Sequence, residues 1–167
     1  MTTSAKDWAP EAGAAIDLCK QWARQVSSAI PCKLYLFGSA IYEEGDQFDA
    51  KLSDLDIVVV FGEDLDVSGR VERLKKLRKF KLDLELRLLT TLHRANCVDP
   101  GVSVVPISKF ELEANVHKSG VRRFFDRNIF LDLASEEQSV GLPDVTIGTR
   151  IGRLLSMLKG YETSFSR

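Results

Sequence analysis

From residue 8 to residue 30, apolar side chains recur every three or four positions, at Ala15, Leu18, Cys19, Trp22, Val26, Ala29 and Ile30. That spacing winds them onto one stripe of a helix, with Pro10 admissible in the first turn and Pro31 ending the run. The period then changes. Leu34-Tyr35-Leu36-Phe37 is a short apolar run closed by Gly38-Ser39, and Ile57-Val58-Val59-Val60-Phe61 is a second, entered through Ser53-Asp54-Leu55-Asp56. Both predict strands bounded by polar turns. Between them, residues 40 to 44 are expected to form a short helix and Gly45-Asp46-Gln47-Phe48-Asp49 an exposed loop.

Two periods compete beyond Val71. Leu74, Leu77, Phe80, Leu84, Leu88 and Thr91 follow helical spacing and predict a helix over 69–94, with Asp66 or Ser68 as its N-cap. Leu82, Leu84, Leu86 and Leu88 also alternate with Lys81, Asp83, Glu85 and Arg87, which is the pattern of a strand. The helix is preferred because Gly101-Val102-Ser103-Val104-Val105-Pro106-Ile107 supplies a better bounded strand. Ser108-Lys109-Phe110-Glu111 then reads as a capping box, opening a helix with Phe110, Ala114 and His117 on its inner side. Ile147, Ile151, Leu154, Leu155 and Leu158 keep helical spacing near the end of the chain, with no stop signal after them.

Helices interleaved with short strands predict an α+β fold, a small twisted mixed β-sheet flanked by helices. The 167 residues fit a single domain over 1–167, large enough to bury roughly 70% of its unfolded surface. The final helical pattern, lacking a stop, fits an N-terminal module of a longer protein with a partner domain beyond it. The N-terminus has no basic stretch leading into an apolar run, and no segment approaches the roughly 18 apolar residues of a membrane helix. A cytoplasmic chain without membrane attachment is therefore expected.

Charge narrows the partners. With 23 Lys and Arg against 24 Asp and Glu, no global field favours nonspecific nucleic-acid binding. Positive charge concentrates only at His117-Lys118-Ser119-Gly120-Val121-Arg122-Arg123, which reads either as a contact for a triphosphate or nucleic-acid backbone or as a solvated turn. Cys19, Cys32 and Cys97 lack the paired spacing of a zinc site, and an odd number does not close a disulfide framework. His93 and His117 have no partner at triad or metal spacing.

The remaining chemistry lies in the two strands. Strand side chains alternate faces, so Asp54 and Asp56 project from one side while Leu55 anchors the other. Magnesium favours oxygen ligands and commonly takes one or two carboxylates together with substrate phosphates, which this pair can supply. Gly38 lets the backbone approach a phosphate, and the Ser39 hydroxyl with the amides that follow can donate to its oxygens. The competing reading is that Gly38-Ser39 only turns the chain and the two aspartates only cap a buried strand. Asp46 and Asp49 read as solvated loop acids.

This combination resembles the DNA polymerase beta-like nucleotidyltransferase superfamily and its small bacterial members. Their signature is a hydrophobic residue, Gly-Ser, a variable gap and Asp-x-Asp in an apolar strand. The likeness spans 34–61 and returns over 101–131, where the Gly101 to Pro106 strand and the following helix look like the third-strand region. It implies an Mg2+- or Mn2+-dependent enzyme that transfers a nucleoside monophosphate from a nucleoside triphosphate, such as ATP, to a hydroxyl of an unidentified protein, RNA or nucleotide acceptor. By the same likeness Asp54 and Asp56 are catalytic and hold the metal, while Gly38 and Ser39 bind the triphosphate. Members resembling this chain occur in toxin-antitoxin and antiviral defence systems.

One departure stands out. The family commonly carries a third carboxylate on the next strand. Ser103 takes that position if the strand is 101–107, and Asp83 or Glu85 would take it if the leucine alternation were the strand. A serine adds no charge to a magnesium site and is a poor general base. The alternative is therefore a catalytically weakened or inactive nucleotide-binding or interaction module of the same fold. A nucleic-acid accessory domain would need a patch around Arg122 and Arg123.

Overall fold

Helix α1, Pro10–Ala29, starts with the proline in its first turn, where no backbone donor is missed, and buries Ala12, Ala15, Ile16, Leu18, Cys19, Trp22, Ala23 and Val26. The chain is seen here as a computed structural model that describes residues 7–63, 65–94, 101–115 and 123–142. Cys97, His117, the basic segment through Arg122 and the apolar spacing from Ile147 to Leu158 lie outside the described residues.

Helix α2, Val67–Thr91, resolves the competition between the two leucine periods. Leu84 and Leu88 are fully buried, whereas Leu82 is 50% and Leu86 67% exposed, a repeat of four and not of two. Its N-cap is Asp66, whose carboxylate accepts from the Gly69 amide at 2.7 Å. Trp22 on α1 donates its indole N–H to the Phe80 carbonyl at 2.8 Å, tying the two helices together.

Five strands form one mixed sheet: β1 Cys32–Phe37, β2 Leu55–Phe61, β3 Val102–Ile107, β4 Ile129–Asp132 and β5 Gln138–Val140, in the order β3-β2-β1-β4-β5. β2 and β3 are parallel, joined through α2, and the other pairs are antiparallel. A parallel pair needs such a crossover, whereas antiparallel neighbours do not. The α+β architecture expected from the sequence is the one observed.

Strand alternation divides the core by face. Leu34, Leu36, Leu55, Ile57, Val59, Phe61 and Val102 join the cluster under α1 and α2. Tyr35, Val58, Val60, Val105 and Ile107 join a second cluster with Leu112, Phe125 and Phe130 on the opposite face. Asp56 has the parity of Val58 and Val60, so it belongs to this second face, beyond the end of its apolar residues.

The short helices differ in detail from expectation. The region 40–44 is not a helix; a 3-10 turn forms over Tyr42–Gly45, with Glu43 and Glu44 in left-handed conformations at φ 47° and 57°. The capping box does open α3, Lys109–Ala114: Glu111 accepts from the Ser108 amide at 2.7 Å, and Ser108 Oγ accepts from the Glu111 amide at 3.2 Å. Its inner face is Leu112, however, while Phe110 is 56% exposed and Ala114 is also exposed. With six residues α3 presents one buried position, and Arg70 of α2 anchors it by donating to both Glu111 oxygens at 2.9 Å. A single-turn helix α4, Phe124–Arg127, precedes β4. No described helix is long and apolar enough to cross a membrane.

Candidate active site

Sheet register brings the separated sequence motifs into one place. Phe37, the last residue of β1, lies opposite Asp56 on β2, and Asp56 lies opposite Ser103 on β3. Directly paired residues present their side chains on the same face, so Phe37, Asp56 and Ser103 form one row across three strands.

Gly38 follows that row and turns the chain away from it at φ +90°, a left-handed conformation that residues with a Cβ rarely adopt. A Cβ there would stand 3.2 Å from Oδ2 of Asp56 and 3.8 Å from its Cβ. Bare backbone therefore abuts the carboxylate. The Gly38 carbonyl accepts from the Ile41 amide at 3.1 Å and the Tyr42 amide at 3.3 Å, closing the turn. The half-buried Ser39 hydroxyl has no hydrogen-bond partner among the described residues.

Asp54 precedes β2 by one residue and is exposed, with no side-chain partner among the described residues. Between it and Asp56, Leu55 is fully buried in the α1–α2 cluster, which fixes both aspartates to the opposite parity. The two predicted acids and Gly38-Ser39 thus converge at one end of β1 and β2.

Asp83 and Glu85 do not converge there. Both lie on α2, where Glu85 pairs with Lys81 at 2.9 Å and Asp83 with Arg87 at 3.8 Å. The neighbour of Asp56 on β3 is Ser103. No group of three or more His, Cys, Asp or Glu that could hold a metal ion occurs among the described residues. Two carboxylates fit a cation that arrives with a polyphosphate and takes its remaining oxygens from it and from water.

The chain matches a known family. A family model of the Pol beta superfamily nucleotidyltransferases in conflict systems covers residues 18–159, most of the chain. The chain belongs to this family. No curated protein matches it. Among solved structures, a protein from Sulfolobus solfataricus provisionally described as a nucleotidyltransferase is 18% identical, covers 64% of this chain and 82% of its own, and has a TM-score of 0.30. That likeness is too distant to transfer residue roles.

In this member of the family, one neighbour of Asp56 escaped the sequence reading. Tyr42 is brought back by the turn at Gly38, and its hydroxyl meets Asn128 Oδ1 at 3.3 Å. Burial pushes its phenol pKa up, and the nearby Asp56 charge pushes it further. A residue four after the glycine of a tight turn was the available signal. Arg123 pairs with Asp126 at 3.1 Å.

Aromatic side chains border the same row. The Phe37 ring meets Phe124 edge-on at 5.2 Å and Phe130 at 5.7 Å, walling the site on the β4 side. The described cysteines are poor nucleophiles: burial raises Cys19 to about 12, and burial raises Cys32 to about 11 although Arg73 acts in the other direction.

Proposed function

We propose that this chain is an Mg2+- or Mn2+-dependent nucleotidyltransferase that moves a nucleoside monophosphate from a nucleoside triphosphate to an acceptor hydroxyl. The observation that carries the reading is that the Asp56 carboxylate borders the space a Gly38 Cβ would take, which sets a candidate phosphate-binding turn beside an acidic pair in a chain of this family. Asp54 and Asp56 would hold the divalent ion, which when bound neutralises phosphate charge and favours departure of pyrophosphate.

The chain's own residues bind and orient. Gly38 admits the terminal phosphates close to the backbone, and the Ser39 hydroxyl, without a partner among the described residues, donates to one of their oxygens. As the acceptor oxygen bonds to the α-phosphorus, the bridge to the β-phosphate breaks. Ser103 cannot take up the acceptor proton, which passes to water or to a phosphate oxygen.

The family description, nucleotidyltransferases in conflict systems, supports a role in toxin-antitoxin or antiviral defence. A second reading is a nucleotide-binding module that has lost transfer, and Ser103 opposite Asp56 is the observation that favours it.

Incubation with each labelled nucleoside triphosphate and Mg2+, beside an Asp54→Ala/Asp56→Ala variant, separates these readings when nucleotide binding and pyrophosphate are both measured. Metal-dependent release lost in the variant supports transfer. Binding without release supports the second reading, and neither binding nor release overturns both.

A further inference from the structure

Arg94, just past the end of α2, is 8% exposed, and its side-chain partners among the described residues are two backbone carbonyls, with no carboxylate. Nε donates to the carbonyl of Ala50 and Nη2 to that of Ser53. Burying a guanidinium with no carboxylate beside it among the described residues is costly, and its donors are satisfied by backbone carbonyls instead.

It fixes the approach to Asp54. The loop is first wound on itself: Asp49 Oδ1 accepts from the amides of Lys51 at 2.7 Å and Leu52 at 3.1 Å, and Ser53 Oγ accepts from the Asp49 amide at 3.0 Å. Arg94 then holds the wound loop from outside.

The Ser53 carbonyl and the Asp54 amide belong to one planar peptide unit, so gripping the carbonyl sets the plane that leads into Asp54. The next peptide unit is held as well, because the Leu55 amide donates to the Gly101 carbonyl at 3.0 Å. Gly101 is fitted to this arrangement. A Cβ on it would stand 3.2 Å from Arg94 Nη1 and 3.2 Å from Leu88 Cδ2. Both planes flanking Asp54 are therefore anchored, although its exposed carboxylate has no hydrogen-bond or ion-pair partner among the described residues.

We infer that Arg94 is a positioning residue for the candidate cation site, holding the Asp54 backbone so that its carboxylate and that of Asp56 share one ion. The inference rests on the reading of Asp54 and Asp56 as metal carboxylates. A planar guanidinium reaches both carbonyls in a fixed fork, whereas a lysine ammonium reaches one as a point charge.

The test compares wild type, Arg94→Ala, Arg94→Lys and Asp54→Asn by titration of Mn2+ together with a non-hydrolysable nucleoside triphosphate under electron paramagnetic resonance, with hydrogen exchange of the amides from 50 to 55. Near-ultraviolet circular dichroism confirms that each variant is folded, and Arg94→Lys serves if Arg94→Ala is not. Loss of Arg94 should weaken Mn2+ binding about tenfold, the effect typical of removing a residue that orients a ligand. It should also speed exchange in the loop, with Arg94→Lys intermediate in both.

A wild-type chain whose Mn2+ binding is absent, or survives Asp54→Asn, overturns the metal reading and the inference that rests on it. Wild-type binding that is lost in Asp54→Asn but unchanged in both Arg94 variants, with unchanged loop exchange, overturns the positioning role alone.

Discussion

Asp56 and Ser103 sit directly across from one another on parallel strands, so an acid is paired with a hydroxyl on the face of the sheet that carries the candidate site. A carboxylate at Ser103 would add charge beside Asp56 without a change of fold. Ser103→Asp should therefore tighten Mn2+ binding on the order of tenfold, since affinity follows the number of charged ligands. Ser103→Ala should leave it unchanged. Titration of both variants by calorimetry checks this, and equal weakening by the two would mean that the hydroxyl itself is a ligand.

Gly38→Ala should be harmful twice over. The left-handed conformation at φ +90° costs a residue with a Cβ about 1–2 kcal/mol. The added carbon also presses on the Asp56 carboxylate, and a small misplacement of a catalytic group can cost about a hundredfold in rate. Urea unfolding and pyrophosphate release measure the two effects separately. Lost stability with unaltered release would remove the glycine from the site.

Tyr42 offers a reporter that needs no substrate. Its phenol is raised above the ordinary value of 10.0, first by burial and then by the charge of Asp56. The folded state therefore keeps its proton to higher pH than the unfolded state, and stability falls as pH climbs past 10.0 towards the folded value. Asp56→Asn should lower the phenol towards, but not to, the ordinary value, because burial persists. Ultraviolet difference titration against Tyr42→Phe isolates this group from the other tyrosines.

The Arg70–Glu111 pair has the opposite dependence. Burial acts to raise the Glu111 carboxyl, but the hydrogen bonds from Arg70 and Ser108 outweigh it, and its pKa is held below the ordinary 4.5. The stability it contributes is fully present above that value and is lost as pH falls through the lower folded one. Because both side chains are more than a third exposed, the pair is worth at most about 1 kcal/mol. Acid unfolding of Glu111→Gln should lack this component.

What the sequence made legible was local. Gly38-Ser39 and Asp54-x-Asp56 could be read because alternation and turn chemistry act over a few residues, and the helix at 67–91 followed from a long periodic run. Two kinds of feature were hidden. Nothing in Glu43 or Glu44 signals a left-handed conformation, so the 3-10 turn was read as a helix. In α3, six residues are too few for a periodic pattern to identify the inner face, and Leu112 was buried where Phe110 was expected. Arg94 lies 41 positions from Ser53, and no local rule links a cation at a helix end to a distant carbonyl.

The division of β2 between two cores also sets which insertions and deletions the chain can survive. Losing one residue inside Leu55–Phe61 would exchange the faces, driving an aspartate beneath α1 and α2 and an isoleucine out onto the face of the candidate site. Changes of length between Ser39 and Phe48 fall between the two strands and leave that parity intact. Natural length variation among relatives should therefore collect between the glycine turn and Asp49, and stop at the strand.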